Sequence, residues 1–234
     1  MWGWIAGSGA AAAAAAGVSA YGIAAPSAQL FAPSVCRGPG RRRSIALTFD
    51  DGPSPATLEL LDFLAKQSVR ATFFQCGRNV ERHPEIARAA LSAGHELGNH
   101  TDSHPRLYLR SPRFIDQEFT RAQRIIQDAT GATPRLLRAP YGLRWLGMRA
   151  TQRKLNLLGV MWTVLGHDWE WPAPRVADRV LRKASPGGIV CLHDGRTIRP
   201  EPDVSAMLGA VKRIVPVLKD QGYSFETVSD LLIA

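Results

Sequence analysis

"IALTFDDGPSPATLELLDFL", residues 45–64, contains a complete strand-turn-helix unit. Ile45, Ala46, Leu47 and Phe49 form a short apolar run that reads as a buried strand. Ser54 is a natural helix N-cap, Pro55 suits the first helical position, and Leu58, Leu61 and Leu64 recur on one helical face. Between the two elements, Asp50 and Asp51 stand side by side where the chain leaves the sheet, followed by the Gly52-Pro53 turn. Adjacent carboxylates repel, and burying either is costly unless a positive group compensates it.

The same alternation continues downstream. "VRATFFQC" (69–76) reads as a strand, "HPEIARAALSAG" (83–94) as a helix closed by Gly94, and "HELGNH" (95–100) as a short strand. The longest helix runs from Ser111-Pro112 to Gly131, with Ile115, Phe119, Ala122, Ile126 and Ala129 as its apolar stripe. "RLLRAP" (135–140) is a strand, residues 145–158 are helical, and "GVMWTV" (159–164) is one further strand. A helix over 175–183, the strand "GGIVCLHD" (187–194), a helix over 204–220, the strand "YSFETV" (223–228) and a terminal turn or helix "SDLLIA" complete the chain. Seven or so β-α units predict a parallel sheet closed into a barrel. In such a barrel the C-terminal strand ends form one face, so Asp50-Asp51, His100–His104, Arg138–Tyr141, His167–Trp169 and His193-Asp194 converge there.

The 234 residues suffice for one large domain, and 45 % apolar with 21 % charged residues is a globular composition. The net charge of +9 is carried mostly by arginine scattered along the chain, which suits an anionic partner and simple solubility equally. No nucleic-acid motif accompanies it, so a nucleic-acid partner is not expected. Cys36, Cys76 and Cys191 are odd in number and far apart and lack a C-x-x-C spacing, so neither a disulfide framework nor a zinc finger is indicated; Cys76 and Cys191 read as small core hydrophobes.

Residues 1–36 carry no charge and include an alanine run, whereas Arg37 and Arg41–Arg43 follow at once. The chain therefore divides into an uncharged leader (1–36), a basic linker (37–43) and a single domain (44–234). The leader is long enough to span a bilayer but only weakly hydrophobic, and it lacks the positive start of a signal peptide. It is read as a membrane-associated segment in preference to a low-complexity tail. A membrane-associated or extracytoplasmic location is favoured over a cytoplasmic one, although the basic residues after the leader argue the other way. Oligomeric state is not legible.

"NHTDSHP" (99–105) sets His100 and His104 four residues apart, a spacing that lets two imidazoles grip Zn²⁺. A carboxylate from Asp50-Asp51 would complete a three-ligand set with open positions, as in catalytic sites. His83 and His95 fall in helix and strand frames and read as surface or core residues. His167 is expected to face solvent, and Asp102 and Asp194 to make turn or supporting hydrogen bonds. Trp145, Trp162 and Trp171 suit sugar stacking or core burial alike.

"TFDDGP", "HTDSH", "RAPYG", "DW" and "LHD", in that order and spacing, resemble the NodB-like polysaccharide deacetylases, carbohydrate esterase family 4, over roughly Arg41 to the C-terminus. The resemblance implies an irregular (β/α)7 barrel, a single domain with its site at the C-terminal strand ends. It implies a hydrolase that removes acetyl groups from N-acetylated sugars of a peptidoglycan-like or chitin-like glycan, with an O-acetyl esterase such as one for xylan as the alternative and an inactive glycan-binding barrel as a third. It further implies one divalent cation, foremost Zn²⁺ with Co²⁺, Ni²⁺ or Fe²⁺ as substitutes, on Asp51, His100 and His104. Asp50 becomes the general base paired with Arg138, and His193 the general acid held by Asp168. The Tyr141 backbone N–H is assigned to the oxyanion, and Trp169 and Cys191 to the acetyl pocket. Two positions depart from the family pattern: Leu165 stands where an aspartate is usual, and Cys191 replaces a leucine.

Overall fold

A computed structural model describes residues 17–233. Its strands are β1 (Ser34–Val35), β2 (Ser44–Asp50), β3 (Thr72–Gln75), β4 (Glu96–Asn99), β5 (Leu136–Leu137), β6 (Leu158–Val160), β7 (Val164–Leu165), β8 (Gly188–His193) and β9 (Ser224–Phe225). They form one parallel sheet in the order β1-β6-β5-β4-β3-β2-β8-β7, with β9 added beside β2. The helices are α1 (17–24), α2 (Pro55–Lys66), α3 (Gly77–Arg82), α4 (Pro84–Ser92), α5 (Pro112–Thr130), α6 (Met148–Leu155), α7 (Ala173–Lys183), α8 (Ser205–Asp220) and α9 (Val228–Ile233). The sheet curls into an irregular (β/α) barrel of one domain that stays open between β1 and β7, the two ends of its path.

Side-chain alternation along β2 and β8 feeds two of the apolar clusters. Ile45, Leu47 and Phe49 of β2, with Val190 and Leu192 of β8, face outward into the layer under α2, α7 and α8. Ala46 of β2, Phe74 of β3 and Ile189 of β8 face inward with Leu136 and Val160. Every residue of β2 is buried, as its position between β3 and β8 requires. Register does the rest: Thr48 pairs with Cys191 and Asp50 with His193, so these four side chains share the inner face at the strand ends.

Local signals fixed α5 closely. Ser111 Oγ accepts the Phe114 N–H at 3.2 Å, and Gly131 ends the helix at φ 78°, a left-handed conformation that glycine adopts without strain. Elsewhere the structure corrects the sequence reading. In α2 the buried positions are Thr57, Leu60, Leu61 and Leu64, while Leu58 is exposed. The segment 159–164 is no single strand: β6 and β7 are separated because the Met161 carbonyl is turned away to accept from Arg138 Nη2. The helix expected over 145–158 is confined to α6, since Leu158 already belongs to β6.

The boundary at residue 36 falls inside a packed region. Arg144, buried, donates from its backbone N–H to Ile23 O and from its guanidinium to the carbonyls of Ala25 and Ala28. Gln152 holds Pro33 O, and β1 pairs with β6 at the open edge. Among the described residues no helix is long and apolar enough to cross a membrane. The remainder of the leader, residues 1–16, lies outside the described residues.

Candidate active site

Asp50 ends β2 on its inner face, and its Oδ1 accepts a 2.6 Å hydrogen bond from Arg138 Nη1. Arg138, fully buried just after β5, spends its other donors on Thr48 Oγ1, Val160 O and Met161 O, and its guanidinium lies over the Phe74 ring at 4.2 Å. This is the counter-charge that the first of the two aspartates requires. Asp51 would point to the opposite face on a regular strand. Instead its own left-handed backbone, φ 71°, turns the carboxylate into the same cavity. A short polar side chain tolerates that conformation better than most. Asp51 is then fixed from outside: its Oδ2 accepts the Thr197 N–H at 2.7 Å, and its carbonyl accepts from Asn79 Nδ2 at 2.7 Å. Gly52 must be a glycine here, because a Cβ would collide with the Asp194 carboxylate.

Asp51 Oδ1 lies 2.9 Å from His104 Nε2 and 3.3 Å from His100 Nε2, yet makes no hydrogen bond. His100 Nδ1 is 2.8 Å from Arg138 O, a carbonyl that can only accept, so Nδ1 carries the proton and the neutral ring keeps its Nε2 lone pair towards Asp51. Two ring nitrogens and a carboxylate oxygen that accepts no hydrogen bond thus meet in a buried space, all within 4.8 Å of one another. The donors therefore fit a divalent cation, in the two-imidazole, one-carboxylate set typical of open catalytic sites. Burial pushes the Asp51 carboxyl up, but its contacts with His100 and His104 and the charges of His104 and His193 outweigh this and hold it well below the usual carboxylate range.

Opposite, His193 Nδ1 lies 2.9 Å from Asp168 Oδ1, while Asp168 Oδ2 accepts the His193 backbone N–H at 2.9 Å. Burial works against the imidazolium, but Asp168 first, then Asp51 and Asp50, raise its pKa to about 9. The Trp169 ring stands edge-on to His193 at 5.0 Å, and the Tyr141 ring to His104 at 4.7 Å. Tyr141 itself sits at φ 59°, in the short turn after β5. Among the described residues, six of the nine non-glycine residues with positive φ (Asp51, Thr101, His104, Tyr141, His167 and Thr197) cluster around this mouth, where strained backbone accompanies a constrained site.

All ten residues singled out in the sequence meet at one cavity of about 400 Å³. Asp50, Asp51, His100, His104, Tyr141, Trp169, Cys191 and His193 line it; Arg138 and Asp168 support it from behind. Sequence reasoning missed Thr197 and Asn79, which act on Asp51 through a backbone N–H and a distant amide and leave no motif. Trp162 also lines the cavity, whereas Trp145 packs on Phe31 and Tyr108, and Trp171 under Arg175. His167, expected to face solvent, stacks on Trp171 at 4.7 Å. His95 accepts the Ala71 N–H, and burial drives its pKa down to about 4. Asp102 is spent on Arg121 and Arg78. Asp194, buried behind Gly52, accepts from Thr57 Oγ1 at 2.6 Å; burial and the charges of Asp51 and Asp50 outweigh that bond and push it up to about 7.

A family model described as polysaccharide deacetylase matches residues 37–160. A chitooligosaccharide deacetylase of Bradyrhizobium sp. (strain ANU 289) is 37 % identical over 198 residues, 81 % of this chain and 90 % of that protein. A peptidoglycan-N-acetylglucosamine deacetylase of Bacillus cereus is 33 % identical over 202 residues, 83 % of this chain and 70 % of that protein. Among solved structures, a peptidoglycan N-acetylglucosamine deacetylase in complex with 4-naphthalen-1-yl-N-oxidanyl-benzamide superposes with a TM-score of 0.80 at 30 % identity, covering 85 % of this chain and 92 % of that one.

Proposed function

The chain belongs to the polysaccharide deacetylase family, carbohydrate esterase family 4, and from that premise we propose that it hydrolyses the N-acetyl group of a GlcNAc-containing oligosaccharide or wall polymer with one divalent cation. The observation that carries this reading is the meeting in one cavity of the Asp51–His100–His104 donor set with two supported proton carriers, Asp50 on Arg138 and His193 on Asp168. Asp51, His100 and His104 would hold the cation, foremost Zn²⁺, and a cation there supplies Lewis acidity towards water and the acetyl carbonyl.

The chain's own residues then divide the proton work. Arg138 occupies Asp50 Oδ1 and leaves Oδ2 as the atom that accepts a proton from the attacking water. The Tyr141 backbone N–H donates to the oxyanion as the carbonyl carbon becomes tetrahedral. Asp168 holds the His193 ring through Nδ1, so Nε2 delivers a proton to the departing nitrogen as the C–N bond breaks, giving acetate and a free amine. Trp169 and Trp162 flank the acetyl group and exclude water from it.

The test is acetate release by the full chain, supplied with Zn²⁺, from chitooligosaccharides, peptidoglycan and acetylated xylan. The expected result is release from the two N-acetylated substrates, falling about 10²- to 10⁴-fold in Asp50→Asn. Release confined to xylan would reassign the enzyme as an O-acetyl esterase, and equal rates in wild type and Asp50→Asn would remove Asp50 as the base.

A further inference from the structure

Cys191 is buried at the cavity and belongs to none of the apolar clusters. It sits on the inner face of β8, paired in register with Thr48 and Leu165, one inward position below His193. Its Sγ–H donates at 3.4 Å to Asp50 Oδ2, the carboxylate oxygen that Arg138 does not occupy. The His193 ring has Nδ1 committed to Asp168, so its remaining nitrogen is Nε2. One ligand atom each from Asp50, Cys191 and His193 falls within 4.8 Å of the others, a second convergent donor set that shares no residue with Asp51, His100 and His104 and lies beside it, Asp50 Oδ2 being 3.9 Å from His100 Nε2. Asp50 and Cys191 are buried and His193 is the partly open member, so the set is walled by protein and reachable from the cavity.

We propose that Asp50, Cys191 and His193 form a second cation site, selective for a thiophilic d¹⁰ ion such as Cd²⁺ or Zn²⁺ in excess over the first equivalent. The donor types make the selection. A carboxylate, a thiolate and an imidazole suit Zn²⁺ and its heavier congener, whereas the oxygen-and-nitrogen first site offers such ions no sulfur. Binding replaces the Sγ–H proton, and any proton on Nε2, both of which leave to solvent. Oδ2 of Asp50 and Nε2 of His193 are then both committed to the ion. On the deacetylase reading proposed above, these are the proton acceptor and the proton donor, so occupation of the second site stops turnover. The leucine usual in the family at position 191 cannot supply this ligand, which makes the site a property of this chain's own sequence.

The test follows Cd²⁺ binding by the ultraviolet thiolate-to-cadmium charge-transfer band of the full chain, preloaded with one equivalent of Zn²⁺. Cd²⁺ that merely exchanges into the first site meets no sulfur and gives no band. The expected result is a band that saturates at one Cd²⁺ per chain, persists in Cys36→Ser and is lost in Cys191→Ser with at least about a tenfold loss of Cd²⁺ affinity. Acetate release should fall in step with the band. X-ray absorption at the cadmium edge on the wild-type chain gives a second readout independent of any variant, and sulfur in the shell of the bound ion is expected. No band in the wild type, a band surviving in Cys191→Ser, or a sulfur-free shell would overturn the proposal. A chain that shows the band but releases no acetate from any substrate would refute the deacetylase reading and leave the second site standing.

Discussion

On one side of the cavity floor, Asp50 and His193 each have a committed protein partner, Arg138 and Asp168, at hydrogen-bond distance. On the other, Asp51 Oδ1 and His104 Nδ1 are buried with no hydrogen-bond partner at all. Both sides are built from the same residue types, and two of the acids are neighbours in sequence. The difference is what completes them. The Asp50–His193 side is finished by the protein itself, with Asp50 paired to Arg138 and His193 to Asp168 inside the fold. The other keeps buried polar atoms without a partner, a cost that on the reading proposed above a bound cation offsets.

Two predictions probe that contrast, the larger effect first. If Arg138 is what allows Asp50 to be buried, Arg138→Met strands a carboxylate and costs about 3–5 kcal/mol of stability in urea denaturation. Pairing it with Asp50→Asn should restore a large part of the loss, because the uncompensated charge is then gone. A single variant as stable as wild type would mean that the two sides do not differ in this way.

The smaller effect concerns pH. In the metal-free chain the His193 pKa is raised from 6.5 to about 9, with Asp168 as the leading favourable cause against burial. A group whose folded pKa is raised stabilises the fold fully below its unfolded pKa and loses that contribution as pH rises through the folded value. Stability should therefore decline between about pH 6.5 and pH 9, by on the order of 3 kcal/mol from this group. In Asp168→Asn the decline should be much shallower, and in the active enzyme the alkaline limb of kcat/KM should move to lower pH. Superimposable profiles for the two proteins would deny Asp168 its role.

Much of this was legible in the chain before any coordinates. The cap and stop of α5 are local chemistry, so Ser111 and Gly131 mark its ends correctly. The strand ends that carry polar clusters converge because a parallel β-α alternation leaves them no other face, and the roles proposed for their residues come from the family resemblance. What stayed hidden depends on partners far away in sequence. The gap between β6 and β7 follows from a guanidinium arriving from Arg138, and nothing in "GVMWTV" announces it. The short helix α3 has too few turns to show a period. Both carboxylates face one cavity through the backbone of Asp51 and a Thr197 N–H that arrives from 146 residues away, more than through the Gly52-Pro53 turn alone. Cys191 read as a core hydrophobe because its partner, Asp50, lies on another strand.

The division of labour between two adjacent aspartates is tested most directly by counting bound metal in the purified chain and two variants. Asp50→Asn should retain one divalent cation per chain while losing acetate release, and Asp51→Asn should lose both the cation and the activity. If Asp50→Asn is stripped of metal while Asp51→Asn retains it, or if both variants bind metal as wild type does, the assignment of tether and proton acceptor is contradicted.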